Sequence, residues 1–460
     1  MRARVALIIA CLLCSVSGAG AQQLMPKPDA DAWLRLIRND KLDLILPEVM
    51  REHGIDMWIH VTRAGDPDPM QYEFGNTHGY LVFTDLGDRI ERAMFGGVFY
   101  GSGAVEKIEV EASTELSRAI SGYDFGNVDF AVYDEIREFV AARNPKTIAV
   151  NFSEWLAVAD GISHTQYKQL ERILGPDLSS RIVSAERVIT DFRSRRVALE
   201  VAVQAMTLEM ARQRVVELAD SIVPGVTTLG DIDDGRLYYS AVSELRHPPM
   251  ATAWLRDRNY VLQPGDFFAF GTGAELFDLD FASFGVDTKA HGYILREGET
   301  AVPESLQRAW DNGKRAQGIM RDNIRVGMTA GESLAAIVAA MEAAGYVYTP
   351  FTDDPFDDYR MIQEYLGDGD APGFYMDLHA MGNNGGDLVT VGPGIAPFRR
   401  DRDHLVMHPN HIFAFEYAVH TNLPERPGFP ITINFSNPQV LTPNGVEWIQ
   451  DPNYGIFLIQ

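Results

Sequence analysis

Asp287 in "FGVDTKAHGYIL", His379 in "FYMDLHAMGNN" and Glu416 in "IFAFEYAVHT" are the side chains of this 460-residue chain whose chemistry fits their neighbours least. A carboxylate set among apolar strand residues is costly to bury alone, so each needs a cation, a hydrogen-bond network or a proton. Glu416 is the most informative, because "IFAFEYAV" would be an ordinary buried strand without the charge at its centre. The three are potential ligands that lie on or beside C-terminal strands. The alternative is structural: Asp287 caps a turn, His379 donates to a backbone carbonyl, and Glu416 pairs with an arginine such as Arg246, Arg399 or Arg400.

The elements that must position these residues fall into two blocks. In the first, "DAWLRLIRNDKLDLILPEVMREHG" has helical spacing and feeds the β-branched run "MWIHVT". "GYLVFTD", "AMFGGVFY" and "TIAVNFS" read as strands, "YDEIREFVAARNP" as a helix ended by Pro145, and "SHTQYKQLERILG" as a helix with Gly175 past its end. An α/β domain over 24–184 is expected. From Ala185 a long periodic stretch predicts one or two helices leading into a second domain, 185–460, and "VPGVTTLGDI" marks a turn and a helix start. Strands are expected at "NYVL", "GDFFAFGTG", "HGYIL", "NHIFAFEYAVHT", "ITINFS" and "YGIFLIQ", with helices at "PESLQRAWDNGKRAQGIMRD" and "GESLAAIVAAMEAAG". Strands and helices in separated runs indicate an α+β class for the whole. There is no phosphate-binding glycine loop and no convincing Ser/His/Asp arrangement.

With 64 acidic against 40 basic residues and a net charge of −24, the chain repels nucleic acid and anionic lipid. Arg2 and Arg4 followed by "VALIIACLLCSV" and the small residues "SGAGA" have the pattern of a secretory signal over 1–21, with cleavage expected after Ala21. Cys11 and Cys14 leave with it, so the mature chain has no thiol for a disulfide, a metal site or a nucleophile. No later segment reaches the roughly eighteen apolar residues of a membrane span. A periplasmic or secreted protein is expected.

The order and spacing of several stretches resemble the pita-bread hydrolases, the superfamily of creatinase, prolidase, methionine aminopeptidase and Xaa-Pro aminopeptidase. They are "EHGIDMWI" and "NFSEWLAVADGISHTQYKQL" in the first domain, then "PGVTT", "LQPGDFFAFGTG", "VDTKAHGYILREGE", "HPNHIFAFEYA" and "NGVEWIQDPNYGIFLI". The chain is most similar to secreted bacterial Xaa-Pro aminopeptidase-like members. The resemblance implies a creatinase-like N-terminal domain, a pita-bread C-terminal domain and commonly a homodimer, for which the aromatic "MQYEFGNTHGYLVF" and "AMFGGVFYG" offer contact segments. It also implies a pair of divalent metals held by two Asp, one His and two Glu, with Asp287, His379 and Glu416 in three of those places and His247 of "LRHPPM" facing substrate.

Four positions depart from that pattern. Gly271 stands where the first metal Asp belongs, ahead of a short insertion that carries Asp278 and Asp280 as possible substitutes. Ser436 replaces the last Glu, Gly386 replaces a histidine that contacts the reacting carbonyl, and Asn384 replaces the histidine two residues earlier. Ordinary two-metal Xaa-Pro aminopeptidase activity is therefore expected to be weak or lost. One expectation is a degenerate site whose cleft still binds a peptide or small molecule. The other is a single-metal peptide hydrolase with one Zn, Mn or Fe on Asp287, His379 and Glu416. A metal-free creatinase-like hydrolase is a third form, against which Gly386 counts.

Overall fold

A computed structural model describes residues 30–62, 70–75, 77–98, 105–121, 129–156, 159–232, 241–244, 257–272, 288–350, 359–381, 392–451 and 455–460. Residues 1–21, where a signal is expected, and His247, Asp278, Asp280, Asp287, Asn384 and Gly386 lie outside these described residues.

The N-terminal half is built on six strands: β1 (Met57–Thr62), β2 (Thr77–Asp85), β3 (Ile90–Val98), β4 (Val110–Glu111), β5 (Ile148–Val150) and β6 (Ile182–Ser184). Their order is β4-β3-β2-β1-β5-β6. All six residues of β1 are buried, because both faces of the sheet are covered. Met57, Ile59 and Val61 enter one apolar cluster with Ile136 and Phe139, whereas Trp58 enters another with Phe74, Phe83 and Phe192. Period-two alternation explains that split. The aromatic stretches expected to contact a second copy contribute Phe74, Phe83 and Phe95 to these clusters, all buried within the chain's own core.

The helix expected at the N-terminus is interrupted. Ala30–Asp40 and Leu46–Glu52 are α-helical, and Lys41–Ile45 between them forms a π turn. The turn buries Lys41, whose Nζ donates to the Arg193 carbonyl at 3.2 Å and lies 3.8 Å from Glu200. Gly175 ends regular helix with φ 73° and ψ 171°, yet helical turns resume at Pro176 and run to Ser179, beyond the expected stop. The periodic stretch after Ala185 is two helices, Glu186–Ser194 and Ala198–Ser221. "VTTLGD" forms only a three-residue 3-10 turn, Leu229–Asp231, capped by Thr228.

The C-terminal half has two further sheets. One contains β7 (Ala241–Glu244), β8 (Asp266–Thr272), β9 (Thr288–Ile294) and β16 (Ile456–Ile459) in the order β16-β9-β8-β7. The other contains β10 (Val347–Tyr348), β11 (Gly373–Ala380), β12 (Ile412–Thr421), β13 (Ile431–Phe435), β14 (Pro438–Thr442) and β15 (Gly445–Trp448), ordered β10-β11-β12-β14-β15 with β13 also on β12. Phe267 and Tyr293 from the first, Phe374, Phe413 and Phe415 from the second, and Leu306 and Ile337 from the helices Glu304–Asp322 and Ala330–Ala343 share one core. The long helix Ala198–Ser221 covers the opposite face of β8, β9 and β16 through Val215 and Ala219. The strand expected at "NYVL" does not form; Val261 makes one isolated bridge to Thr228. β11, by contrast, is a full eight-residue strand across "GFYMDLHA". Among the described residues no helix is long and apolar enough to cross a membrane.

Candidate functional site

β11 and β12 run antiparallel, and their register puts Asp377 directly opposite Glu416 and His379 opposite Ala414. Asp377 and His379 are two residues apart on one strand and therefore share a face. The strand pair thus sets two carboxylates side by side next to an imidazole. Like charges opposed across a ladder repel, so compensating positive charge must come from elsewhere.

Two side chains bring it. Arg399 embraces Asp377 with both arms of its fork, Nε to Oδ1 at 2.6 Å and Nη2 to Oδ2 at 2.7 Å. Lys289 of β9 reaches across from the other sheet and donates its ammonium to Glu416 Oε1. The partner of Glu416 is thus Lys289 and not Arg246, Arg399 or Arg400, the candidates considered from sequence. Arg399 is engaged by Asp377, Arg400 pairs with Asp403, and Arg246 lies outside the described residues. Burial alone would raise the Glu416 carboxyl, but the charge and hydrogen bond of Lys289, with His379 nearby, outweigh it and hold the group well below the usual carboxylate range.

His379 is oriented by its backbone. Nδ1 donates to the Ala380 carbonyl at 3.1 Å, which turns Nε2 toward Glu416 Oε2 at 3.8 Å. The carbonyl contact expected of a structural histidine and the carboxylate neighbour expected of a ligand are therefore both present. His379 and Glu416 are neighbours, Asp287 lies outside the described residues, and one ligand atom each from Asp377, His379 and Glu416 lie within 4.8 Å of one another, a spacing that a metal ion can bridge. Asp377 escaped the sequence reading, although its place two residues before His379 would have signalled it once β11 was recognised as a strand.

Two of the altered positions, Gly271 and Ser436, lie next to Lys289. Gly271 faces it across the β8–β9 ladder, and directly paired residues project to the same side. The Lys289 backbone N–H donates to the Ser436 carbonyl at 3.0 Å, and Ser436 follows Phe435, which is paired with Tyr417 beside Glu416. Lys289 was missed in the sequence because "VDTKAHGYIL" draws attention to Asp287; its signal was a lysine within seven consecutive strand residues that are all buried.

A second polar cluster joins the two halves of the molecule. The Arg195 guanidinium bonds Glu52, lies 3.2 Å from Asp191 Oδ2 and donates to His408 Nε2 at 3.0 Å, while His53 Nε2 meets Asp191 Oδ2 at 2.7 Å. Glu52, Asp191 and His408 also have metal-compatible spacing, but Arg195 already supplies the cation at their centre.

No protein-family profile and no curated protein sequence matches the chain. Solved structures do. The X-Pro aminopeptidase from Thermotoga maritima MSB8 is similar at 16% identity over 90% of this chain and 100% of that one, with a TM-score of 0.52. An Xaa-Pro dipeptidase from Bacillus anthracis is similar at 15% identity over 92% and 99% of the two chains, with a TM-score of 0.47. A prolidase from Pyrococcus horikoshii OT3 is similar at 13% identity over 90% and 98%, with a TM-score of 0.46. The chain has the two-domain α+β pita-bread fold of the Xaa-Pro peptidase structures.

Proposed function

We propose that this chain keeps the cleft of the pita-bread fold as a binding site for a peptide or small molecule and has lost ordinary two-metal Xaa-Pro peptidase turnover. The observation that carries the reading is the pairing of both cleft carboxylates with protein cations, Glu416 with Lys289 and Asp377 with Arg399. As arranged, the donor set does not fit a divalent ion. Coordinating oxygens sit about 2.0–2.2 Å from such an ion, and here the guanidinium of Arg399 on both oxygens of Asp377 and the ammonium of Lys289 on Glu416 Oε1 would repel it. Gly271 and Ser436 add no carboxylate. The hydrophobic run and small residues of 1–21 support export of the mature chain.

Without a bound ion, the described residues of the cleft can orient a ligand but supply no strong nucleophile. His379 offers Nε2 as a hydrogen-bonding group beside Glu416, and Glu416 is a poor general base because the charge of Lys289 holds its carboxyl well below the usual carboxylate range.

The compact spacing of His379 and Glu416 favours a second reading, a single-metal peptide hydrolase on Asp287, His379 and Glu416. In it the ion would polarise a peptide carbonyl and activate water, with His247 holding substrate. Incubating the purified mature protein with X-Pro peptides and excess Mn²⁺, Co²⁺ or Zn²⁺, beside an Asp287→Ala, Glu416→Ala double variant, separates the two. Peptide binding without turnover is the outcome expected of the binding reading; turnover that vanishes in the double variant establishes the hydrolase.

A further inference from the structure

Lys289 is only 4% exposed, and lysines are almost never buried to that degree unless paired. Its surroundings account for its place. Its ammonium bonds Glu416 Oε1, the other oxygen of Glu416 is 3.8 Å from His379 Nε2, and Gly271 of β8 and Ser436, just past β13, flank it. The two carboxylates that face each other across β11 and β12 are matched by two cations, one from Lys289 and one from Arg399. Each of these two carboxylates carries a cationic side chain of the protein.

We propose that the Lys289 ammonium is the resident cation of this cleft and occupies the place of a divalent ion, so that removing the ammonium opens a divalent-cation site on Glu416 and His379. The inference rests on the reading of the cleft given above and sharpens it to one atom. A divalent ion on Glu416 would lie within a few ångströms of the ammonium, and two cations sharing one carboxylate in a buried setting repel strongly. Taking the ammonium away leaves Glu416 without that charge while His379 keeps the orientation fixed by the Ala380 carbonyl, with Nε2 turned toward Glu416. An ion is the available replacement, and a histidine whose other ring nitrogen donates to a carbonyl is oriented as metal-bound histidines are.

Equilibrium dialysis against micromolar Zn²⁺ or Mn²⁺, followed by elemental analysis of the protein, tests this on four proteins: wild type, Lys289→Arg, Lys289→Met and Lys289→Met with Glu416→Gln. Methionine keeps the apolar stem of lysine without its charge, and circular dichroism confirms that each variant is folded. Wild type and Lys289→Arg are expected to retain no stoichiometric metal above the Glu416→Gln background. Lys289→Met is expected to take up a single equivalent that the added Glu416→Gln removes, and Zn²⁺ is expected to raise its melting temperature without raising that of wild type, since a ligand of the native state alone stabilises it. Should Lys289→Met fail to fold in metal-free buffer, refolding with Zn²⁺ that succeeds only when Glu416 is present supports the inference, and failure in both overturns it. A wild-type protein that binds one equivalent through Glu416 also overturns it, as does a folded Lys289→Met that binds none. Wild type that binds metal without cleaving peptide defeats this inference and leaves the binding reading standing, whereas metal-free cleavage of X-Pro peptides does the reverse.

Discussion

Glu416 and Asp377 show how a charge in an apolar strand reveals a site without revealing what neutralises it. The sequence supplied the anomaly at Glu416, but its partner depends on how two sheets meet, which no local pattern encodes; a lysine from β9 reached it before any of the three arginines considered. Asp377 was legible in principle through its parity with His379 and stayed hidden because "GFYMDLHA" was not read as a strand. The Arg399–Asp377 pair allows a direct prediction. Both side chains are close to nine-tenths buried, 12% and 11% exposed, so Arg399→Ala leaves a carboxylate without its fork and is expected to lower the unfolding free energy by about 3 kcal/mol. Exchanging both partners for apolar residues, Arg399→Met with Asp377→Leu, is expected to cost less than Arg399→Ala alone. Urea denaturation of the three proteins checks the order, and a double variant less stable than the single one would contradict it.

The site is positioned by β8, β9, β11 and β12, of which the β-branched and aromatic runs of β8 and β12 were plain in the sequence. β9 was foreseen only from "HGYIL", so its first residues, Lys289 among them, fell outside the expected strand. "NYVL" failed as a strand because its backbone bonds into the turn at Thr227–Gly230 instead of a ladder, whereas Gly175 does end its helix with a positive φ, and Pro176 after it starts new helical turns. The pairing of β8 with β9 relies on a close approach that only glycine permits. A Cβ on Gly292 would lie 2.2 Å from the Phe268 ring directly across the ladder. Gly292→Ala is expected to lower stability by about 1–3 kcal/mol through overpacking, read as a lower urea midpoint, and Gly292→Ala with Phe268→Leu is expected to recover part of the loss. An alanine variant as stable as wild type would show that the ring can move aside freely.

For the whole molecule, the order of short motifs was enough to expect the fold, because each marks a turn or strand end that the architecture fixes. The junction around Arg195 was not legible, since Glu52, Asp191 and His408 come from distant parts of the chain. Buried histidines give the molecule a pH response of definite sign. Burial pushes His291, His411 and His420 down to about 3, with nearby Lys289 adding to the effect at His291 and Arg196 at His411. The unfolded chain takes up a proton on each near pH 6.5 that the native state refuses until about pH 3, so this stability is complete above pH 6.5 and is lost as the pH falls. Together the three contribute a slope of about 4 kcal/mol per pH unit through the middle of that window. Denaturant midpoints measured from pH 7 to pH 4.5 are expected to fall steeply, and a flat profile would show that these rings are protonated in the native state. The most direct test of the central claim, that protein cations and not metal balance this cleft, is anomalous diffraction from crystals of the wild-type protein grown with Zn²⁺ or Mn²⁺. The account predicts no anomalous peak within bonding distance of His379 Nε2 and Glu416, with the Lys289 ammonium in density on the carboxylate; a peak coordinated by both residues, with Lys289 displaced, would contradict it.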